Sequence, residues 1–594
     1  MIEEINSVSK ELRALAFLLT ERSDESSKRA EKHLKTLASR FGHQFIQLHI
    51  QGMSLCLVSV DKMTINPASL GSLRINLGSC SDGLISPTDR YLSVEISSSE
   101  VRFFSDYAGT VPVYYSQRGG LVASNIEPCV VLASSTRYED ISYENLYGYF
   151  RYSHFIWEET AYKHINQFLP DSYYLYRKVD CCMVRQYRQT IVASDVRLNL
   201  NDKQVAHSLY ELNHSLVTKA LSQYEQINLP LSSGYDSRMI FAAAVNDKQL
   251  KDKLSCFTYG TPGALEVEAA RELTRNIPDQ WQYMDLPCRF LGRDFLDKIH
   301  DIFGGALHMH GMYQLEVFDL IGDGNGIPAN ACVTSGFMTG VPAGQHNGLL
   351  KINSGTKSLS GSMQAFAQSD YWSETELAKL PAFEASDYGE LAESRFRQAF
   401  NQYNGPIHQQ SVMFDVWTRQ RNFIGYYPRV FEWCCDIVSP HMTPDYQNFF
   451  FSLAPEHLYN RNAIELMFKY HYPDQARVIS NSNGVKSLTS AKETALYNVA
   501  KLLRAIKLNR LLPQKYRSES FEFDIKALKA SEDGFFPLFS KNESVSAFVE
   551  AMGGGLQLGT LASQAYSGDI KAYNKLAILQ SIAGSLALIS GGEA

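Results

Sequence analysis

The spacing of apolar positions changes character along the chain. Residues 1–40 mix Lys and Glu into their apolar positions without turn signals, which predicts helix. From Gln44 to Arg188 the pattern becomes short runs such as Gln47–Ile50, Ser54–Val58, Leu92–Ile96 and Val113–Tyr115, separated by Gly, Asp, Asn and Ser. That texture predicts a sheet-rich, antiparallel unit. Near Ala193 to Asp202 it switches again, and Val205, Leu209, Leu212, Leu216 and Leu221 recur at helical spacing. A short apolar run, Ile227–Leu231, a loop of small residues, a helical stretch Met239–Val245 and a strand Leu254–Tyr259 follow. Strand, loop, helix, strand predicts a βαβ unit with a parallel sheet. The remainder to about Leu512 reads as mainly helical. Residues 513–594 carry no recognisable motif; Gly553-Gly-Gly555 predicts a loop or hinge. Leu576–Ile589, interrupted by Gln580, Ser581, Gly584 and Ser585, is too short to span a bilayer and reads as a buried or partner-binding helix.

Length and composition set the frame. At 594 residues the chain exceeds one ordinary core, so two large domains, or two plus an appendage, are expected. The boundaries read as a helical N-terminal extension over 1–42, a sheet-rich domain over 43–195, an α/β domain over 196–512 and a C-terminal extension over 513–594. Lys plus Arg number 56 against Asp plus Glu 63, a net charge of −7, which argues against nucleic acid as the main partner. Ten cysteines include the adjacent pairs Cys181-Cys182 and Cys434-Cys435, none with the two-residue gap of a zinc or redox motif. A reducing compartment is expected. Met1–Asp24 carries Glu3, Glu4, Lys10, Glu11 and Arg13, so neither a signal peptide nor a spanning helix is expected there, and the reading is cytoplasmic with no membrane.

The loop Ser232-Ser-Gly-Tyr-Asp-Ser237 carries the most chemistry. Small residues between a strand and a helix let backbone N–H groups close on a polyanion, and the helix adds its positive end. Ser232, Ser233 and Ser237 add hydroxyls, Gly234 and Tyr235 add backbone donors, and Asp236 suits Mg²⁺ held between carboxylate and phosphates. The same residue types also serve as ordinary turn and cap residues.

The loop resembles the pyrophosphate-binding signature of the asparagine synthetase family, Ser-Gly-Gly-x-Asp-Ser, with Ser233 in place of the first Gly. Phe257-Thr-Tyr-Gly260 resembles that family's second strand and turn, which adds Thr258 and Gly260 to the nucleotide site the resemblance implies. Glu266-Val-Glu-Ala-Ala-Arg-Glu-Leu273 resembles the acidic-x-x-Ala-Ala-Arg helix that follows. Asp106–Tyr115 and Leu121–Glu127 look like paired strands of the family's glutamine amidotransferase domain, and Arg419–Pro455 like its helical C-terminal portion. The resemblance spans roughly residues 45–490. It implies a class II glutamine amidotransferase-like α+β domain of antiparallel sheets. An α/β parallel-sheet ATP-pyrophosphatase domain, largely helical at its C-terminal end, would follow.

Two departures shape the functional expectation. The family's glutaminase nucleophile is a cysteine at the mature N-terminus. Here the chain begins Met1-Ile2-Glu3, and Cys56 sits in an apolar run that reads as core. Glutamine is therefore not expected as nitrogen donor, which places the logic nearest β-lactam synthetases and lasso-peptide cyclases. Second, Val333–Gly344 aligns on the motif Ser-Gly-Glu-Gly-x-Asp-Glu-x-x-Gly-Gly. Ser335 and Gly336 match, but the acidic residues are replaced by Phe337, Gly340 and Val341. Either water, or Glu316, Asp319 or Asp323, completes the metal shell, or, as the simpler reading, adenylation is weakened or lost.

Asp436 stands where the family has a Glu that orients or deprotonates an amine, or is a capping carboxylate. Lys486 stands near the family's transition-state lysine, with Lys492 as its competitor, or both are solvated. His308 and His310 lack a third ligand nearby and read as ordinary side chains. The expected function is an ATP- and Mg²⁺-dependent ligase that adenylates a carboxylate and joins it to an amine. The alternative is a pseudoenzyme acting with a protein partner or as a homodimer; an RNA-modifying enzyme is the weaker third reading, since the chain shows neither basic surface nor paired cysteines.

Overall fold

The computed structural model describes residues 10–21, 23–50, 52–59, 73–78, 91–118, 123–124, 126–193, 198–260, 263–284, 293–304, 330–345, 372–384, 387–482, 486–506, 508, 511–513, 548–550, 552, 558–567 and 569–590. Two sheets organise them, one mostly antiparallel and one parallel, with helices packed against both.

The first sheet holds eleven strands: β1 (Lys10–Thr20), β2 (Gln44–Ile50), β3 (Met53–Ser59), β4 (Leu73–Gly78), β5 (Tyr91–Ile96), β6 (Glu100–Ser105), β7 (Tyr114–Ser116), β8 (Ala123–Ser124), β9 (Ile165–Gln167), β10 (Ser172–Arg177) and β11 (Cys182–Tyr187). Their order is β11-β10-β6-β5-β4-β1-β8-β7-β9, with β3 on the other side of β1 and β2 beyond it. β1 corrects the reading of residues 1–40 as helix. It pairs antiparallel with β3, parallel with β4 over Lys10–Ala14, and antiparallel with β8 at Leu18 and Leu19. The sheet is therefore not wholly antiparallel, and the sheet-rich unit begins by Lys10 rather than at 43. The misreading has a physical cause. Ala16 and Leu18 face one apolar cluster while Ala14, Phe17 and Leu19 face the other. A strand buried on both faces reads as an unbroken apolar run, which periodicity cannot distinguish from a buried helix.

Helix is correct for α1 (Glu25–Arg40), whose first turn is capped by Asp24 accepting from Ser27 N at 3.0 Å and whose Ala30, Leu34, Leu37 and Ala38 lie inward. Two further helices, α2 (Glu127–Ala133) and α3 (Tyr143–Tyr152), share that apolar cluster.

The second sheet is parallel throughout: β12 (Gln226–Pro230), β13 (Leu254–Tyr259), β14 (Trp281–Met284), β15 (Ala331–Thr334) and β16 (Asp436–Val438), in the order β14-β13-β12-β15-β16. Its helices include α4 (Asp202–Leu221), opened by a reciprocal Asn201–Gln204 cap, α5 (Tyr235–Asn246), α6 (Leu265–Leu273) and α7 (Arg293–Phe303). The chain lays β12, β13 and β14 down to one side, then returns to place β15 and β16 on the other. The direction of winding therefore reverses between β12 and β15. In open parallel sheets ligands bind at such a reversal, outside the carboxyl ends of the strands.

The two halves are stitched by buried polar contacts. Trp417 Nε1 donates to Tyr107 O at 2.9 Å, and the buried Arg421 donates to Gly109 O at 3.1 Å and to Phe168 O. Both donors sit on a π-helical turn over Val416–Ile424. Asp106 holds the opposing turn by accepting from Ala108 N and from the Thr110 amide and hydroxyl. Near the C-terminus, the helix Ile570–Ser590 buries Leu576, Ile578, Leu579 and Ile582 in the same cluster as α1, α2 and α7, in agreement with a buried helix there. No described helix is long and apolar enough to cross a membrane.

Candidate functional site

The segment Ser232–Ser237 leaves the carboxyl end of β12 and enters α5, with Gly234 as the N-cap. Its first four backbone donors are engaged by side chains. Ser232 N donates to Ser237 Oγ at 3.2 Å, Ser233 N to Glu266 Oε2 at 2.7 Å, Gly234 N to Ser232 Oγ at 3.2 Å and Tyr235 N to Ser482 Oγ at 2.8 Å. A carboxylate and hydroxyls thus cover a row of N–H groups at a helix start, a place whose field favours anions. None of these acceptors is a backbone carbonyl of a strand or helix, so each can turn away from the loop without unmaking the fold.

Arg238 fixes the loop from below. It is fully buried, and its guanidinium donates to the carbonyls of Ser233, Gln475, Val478 and Ile479 at 2.7–2.9 Å. Burial pulls its pKa down to about 10, still far above neutrality, so it remains charged. The segment 475–479 leads to Ser480–Ser482 and Lys486, where Ser480 and Lys486 exchange backbone hydrogen bonds at 2.9 and 3.0 Å. Lys486 Nζ lies 2.8 Å from Glu465 Oε1, which also accepts from Tyr235 Oη at 3.2 Å. Lys486 is thereby brought beside the loop through one shared carboxylate. Lys492 sits apart on the helix Ala491–Ala505 and is exposed.

The second loop, Ser335–Gly344, closes on α5 from β15. Ser335 N donates to Val438 O at 2.8 Å and its hydroxyl accepts from Phe337 N at 3.2 Å. Gly336 must be glycine, because a β-carbon there would lie 2.8 Å from Asp236 C and Cβ. A β-carbon at Gly340 would lie 3.0 Å from Asp236 Oδ1, so this loop covers the carboxylate closely. Phe337, Met338 and Val341 are buried in one apolar cluster with Tyr107, Ala108 and Trp417. Behind the loop, Thr339 Oγ1 meets His441 Nδ1 at 2.7 Å, and His441 Nε2 meets Asn213 Oδ1 at 2.7 Å. Asn213 Nδ2 donates to Met239 O, which turns Oδ1 to the histidine and makes Nε2 the protonated nitrogen. Burial pushes the His441 pKa down to about 3, so it stays neutral. Tyr446 Oη donates to Thr339 O at 2.9 Å; burial, then the Asp236 charge, push that phenol well up.

Thr258 and Gly260 lie at the carboxyl end of β13, beside the loop. The Thr258 hydroxyl donates to Leu231 O at 2.8 Å and accepts from Trp281 Nε1 at 3.0 Å, and Gly260 O accepts from Tyr283 Oη at 2.7 Å. Asp436 is not brought to this place. It opens β16 opposite Cys332, level with Ile227, and accepts from Tyr224 Oη at 3.3 Å. Ile227 precedes Ser232 by five residues, which at the rise of a strand puts Asp436 roughly 16 Å from the loop along the strand direction, two strands away and at the amino end of the sheet. The cause is that β16 begins at Asp436, so the strand carries the chain away from it toward the site.

Cys56 is buried in β3, where burial pushes its thiol up to about 12, in keeping with a core residue. Glu316, Asp319, Asp323, His308, His310 and Gly553–Gly555 lie outside the described residues, and no cluster of three or more His, Cys, Asp or Glu suited to a metal occurs among the described ones. Glu266, Ser482 and Arg238 are site residues the sequence reading did not single out. Glu266 had a signal, as the first acid of the Ala-Ala-Arg helix, and Arg238 as a lone charge before an apolar run. Ser482 had none, because its contact spans 247 positions. A scan against protein-family models and a search of curated proteins find no match to this chain.

Proposed function

We propose that this chain is an asparagine synthetase-like ligase that binds ATP at the Ser232–Ser237 loop and activates a carboxylate for amide formation without glutaminase chemistry. In this reading the first sheet is a class II glutamine amidotransferase-like scaffold and the second an ATP-pyrophosphatase-type unit. The observation that carries it is position: the loop of small residues leaves the strand beside the winding reversal and starts a helix. The Ser233, Gly234 and Tyr235 amides with the Ser232, Ser233 and Ser237 hydroxyls would cradle the pyrophosphate. Ser335 and Gly336 form the facing wall, and Thr258 and Gly260 the side toward the adenosine. Asp236 would hold Mg²⁺, which supplies charge neutralisation to the leaving pyrophosphate. Lys486, on swinging from Glu465, would set positive charge near the reacting phosphate. Asp436, at the far end of the sheet, has no part in this reading.

A second reading, nucleotide binding without turnover, is favoured by one observation. Where carboxylates are expected, Phe337 and Val341 lie in the apolar seam between the halves, and Gly340 leaves room for Gln345 and Asp236. Incubation with ATP, Mg²⁺ and panels of carboxylates and amines separates the two. Carboxylate-dependent release of AMP and pyrophosphate supports the ligase; ATP binding with no AMP from any carboxylate supports the second reading.

A further inference from the structure

The loop after β15 exchanges two side chains. Counted from Ser335, the motif Ser-Gly-Glu-Gly-x-Asp-Glu-x-x-Gly-Gly places its Asp at Gly340 and its last Gly at Gln345. The chain is thus bare where an acid is expected and carries an amide where a bare residue is expected. The fold brings the two positions together. Gly344 takes a left-handed φ of 80°, which glycine adopts without strain. Gly344 N donates to Val341 O at 3.0 Å and Gln345 N donates to Gly340 O at 3.1 Å, so the chain turns back and sets residue 345 beside residue 340. The near side of the turn is fixed, because the Thr339 hydroxyl meets His441 and the Thr339 carbonyl accepts from Tyr446 Oη.

The side chain of Gln345 fills the place that Gly340 leaves. A β-carbon on Gly340 would overlap Gln345 Oε1 and lie 3.0 Å from Asp236 Oδ1. Two side-chain oxygens, one from an amide and one from a carboxylate, therefore converge on one spot at the start of α5. Gln345 is half-buried, and among the described residues its side-chain amide has no hydrogen-bond partner. A hard divalent cation takes oxygen ligands, glutamine carbonyls among them. Mg²⁺ beside a nucleotide uses only one or two carboxylates, because phosphates and water supply the rest. One acid with a neutral oxygen next to it fits that donor set.

We propose that Gln345 Oε1 is the second protein oxygen, with Asp236, for the divalent cation of the nucleotide site, in place of the acids missing at Gly340 and Val341. This assignment rests on the Ser232–Ser237 loop being a nucleotide site, and names the residue that replaces the lost carboxylate there. An amide brings the oxygen without the charge, so it holds the cation less firmly than an acid at the same place.

The test is calorimetric titration of the full-length protein with ATP, in excess Mg²⁺ and in excess EDTA, with no carboxylate substrate supplied. Wild type is compared with Gln345→Ala and Gln345→Glu, each of unchanged melting temperature. In Mg²⁺, Gln345→Ala should weaken ATP binding by about tenfold, the lower end of the loss when groups supporting a metal site are removed. Gln345→Glu should tighten it beyond wild type, and in EDTA neither gain nor loss should remain. Equal affinity of wild type and Gln345→Ala for ATP in Mg²⁺ would overturn the proposal and leave the nucleotide site standing. So would weakening by both variants, since an added negative charge harms a direct phosphate contact and helps a cation ligand. A wild type that binds no ATP with or without Mg²⁺ would overturn the nucleotide reading and this assignment together.

Discussion

Substituting Glu266→Gln probes the site where two demands compete for one donor. Glu266 Oε2 accepts from Ser233 N at 2.7 Å and Oε1 accepts from Asn481 Nδ2 at 2.5 Å. A phosphate entering the loop must take the Ser233 amide from a carboxylate of like charge. Hydrogen bonds to a charged group contribute about 1.5–3 kcal/mol against about 0.5–1.5 for a neutral acceptor, so removing the charge while keeping the acceptor lowers the cost of displacement by about 1–2 kcal/mol. The glutamine can keep its oxygen on Ser233 N while Asn481 turns its own oxygen to the new amide. The variant should therefore bind inorganic pyrophosphate and ATP roughly 5- to 30-fold more tightly than wild type. Isothermal titration calorimetry in Mg²⁺ reads this directly, with thermal melting as the check on folding. Weaker binding in a variant that melts like wild type would refute the reasoning and make Glu266 part of the ligand's own shell.

Other expectations follow from the same geometry. Gly336→Ala should destabilise by about 1–3 kcal/mol in urea unfolding, because its β-carbon meets backbone and not a yielding side chain. Gly559→Ala, in open space on the helix Leu558–Tyr566, should stabilise by about 0.5–1 kcal/mol in the same assay. Arg238→Lys should cost several kcal/mol, since one ammonium cannot reach the four carbonyls the guanidinium serves; a cost near zero would show that those carbonyls find other partners. Burial lowers His154 and His441 to about 3 and His300 to about 4, against an ordinary value of 6.5. The unfolded chain therefore binds more protons below pH 6.5. The stability these groups contribute is complete above 6.5 and is lost as pH falls toward 4, by about 1.4 kcal/mol per pH unit for each histidine. Melting temperature against pH checks the slope, and His441→Gln should reduce it.

The parallel unit was legible in the sequence because its signals are local. Ile227–Leu231, the serine loop and Leu254–Tyr259 each announce their conformation over a few residues, and each is found there as strand, helix start and strand. β1 was not legible, because a strand covered on both faces loses the alternation that identifies it. The position of Asp436 was not legible for a different reason: sequence order says that it follows β15, but only register says which end of the sheet it occupies. The polar partners of the loop come from positions 266 and 482, so they depend on how α6 and the 480–486 segment fold back, a matter of tertiary packing.

The central claim is that Ser232–Ser237 is a nucleotide site. Calorimetric titration of the full chain with ATP and Mg²⁺, beside Asp236→Ala of unchanged melting temperature, tests it most directly. The account predicts binding to wild type, with a rise in stability of about 2.7 kcal/mol at about 100 times the dissociation constant, and its loss in Asp236→Ala. Absence of binding to wild type at millimolar ATP, or binding that Asp236→Ala leaves unchanged, would contradict it.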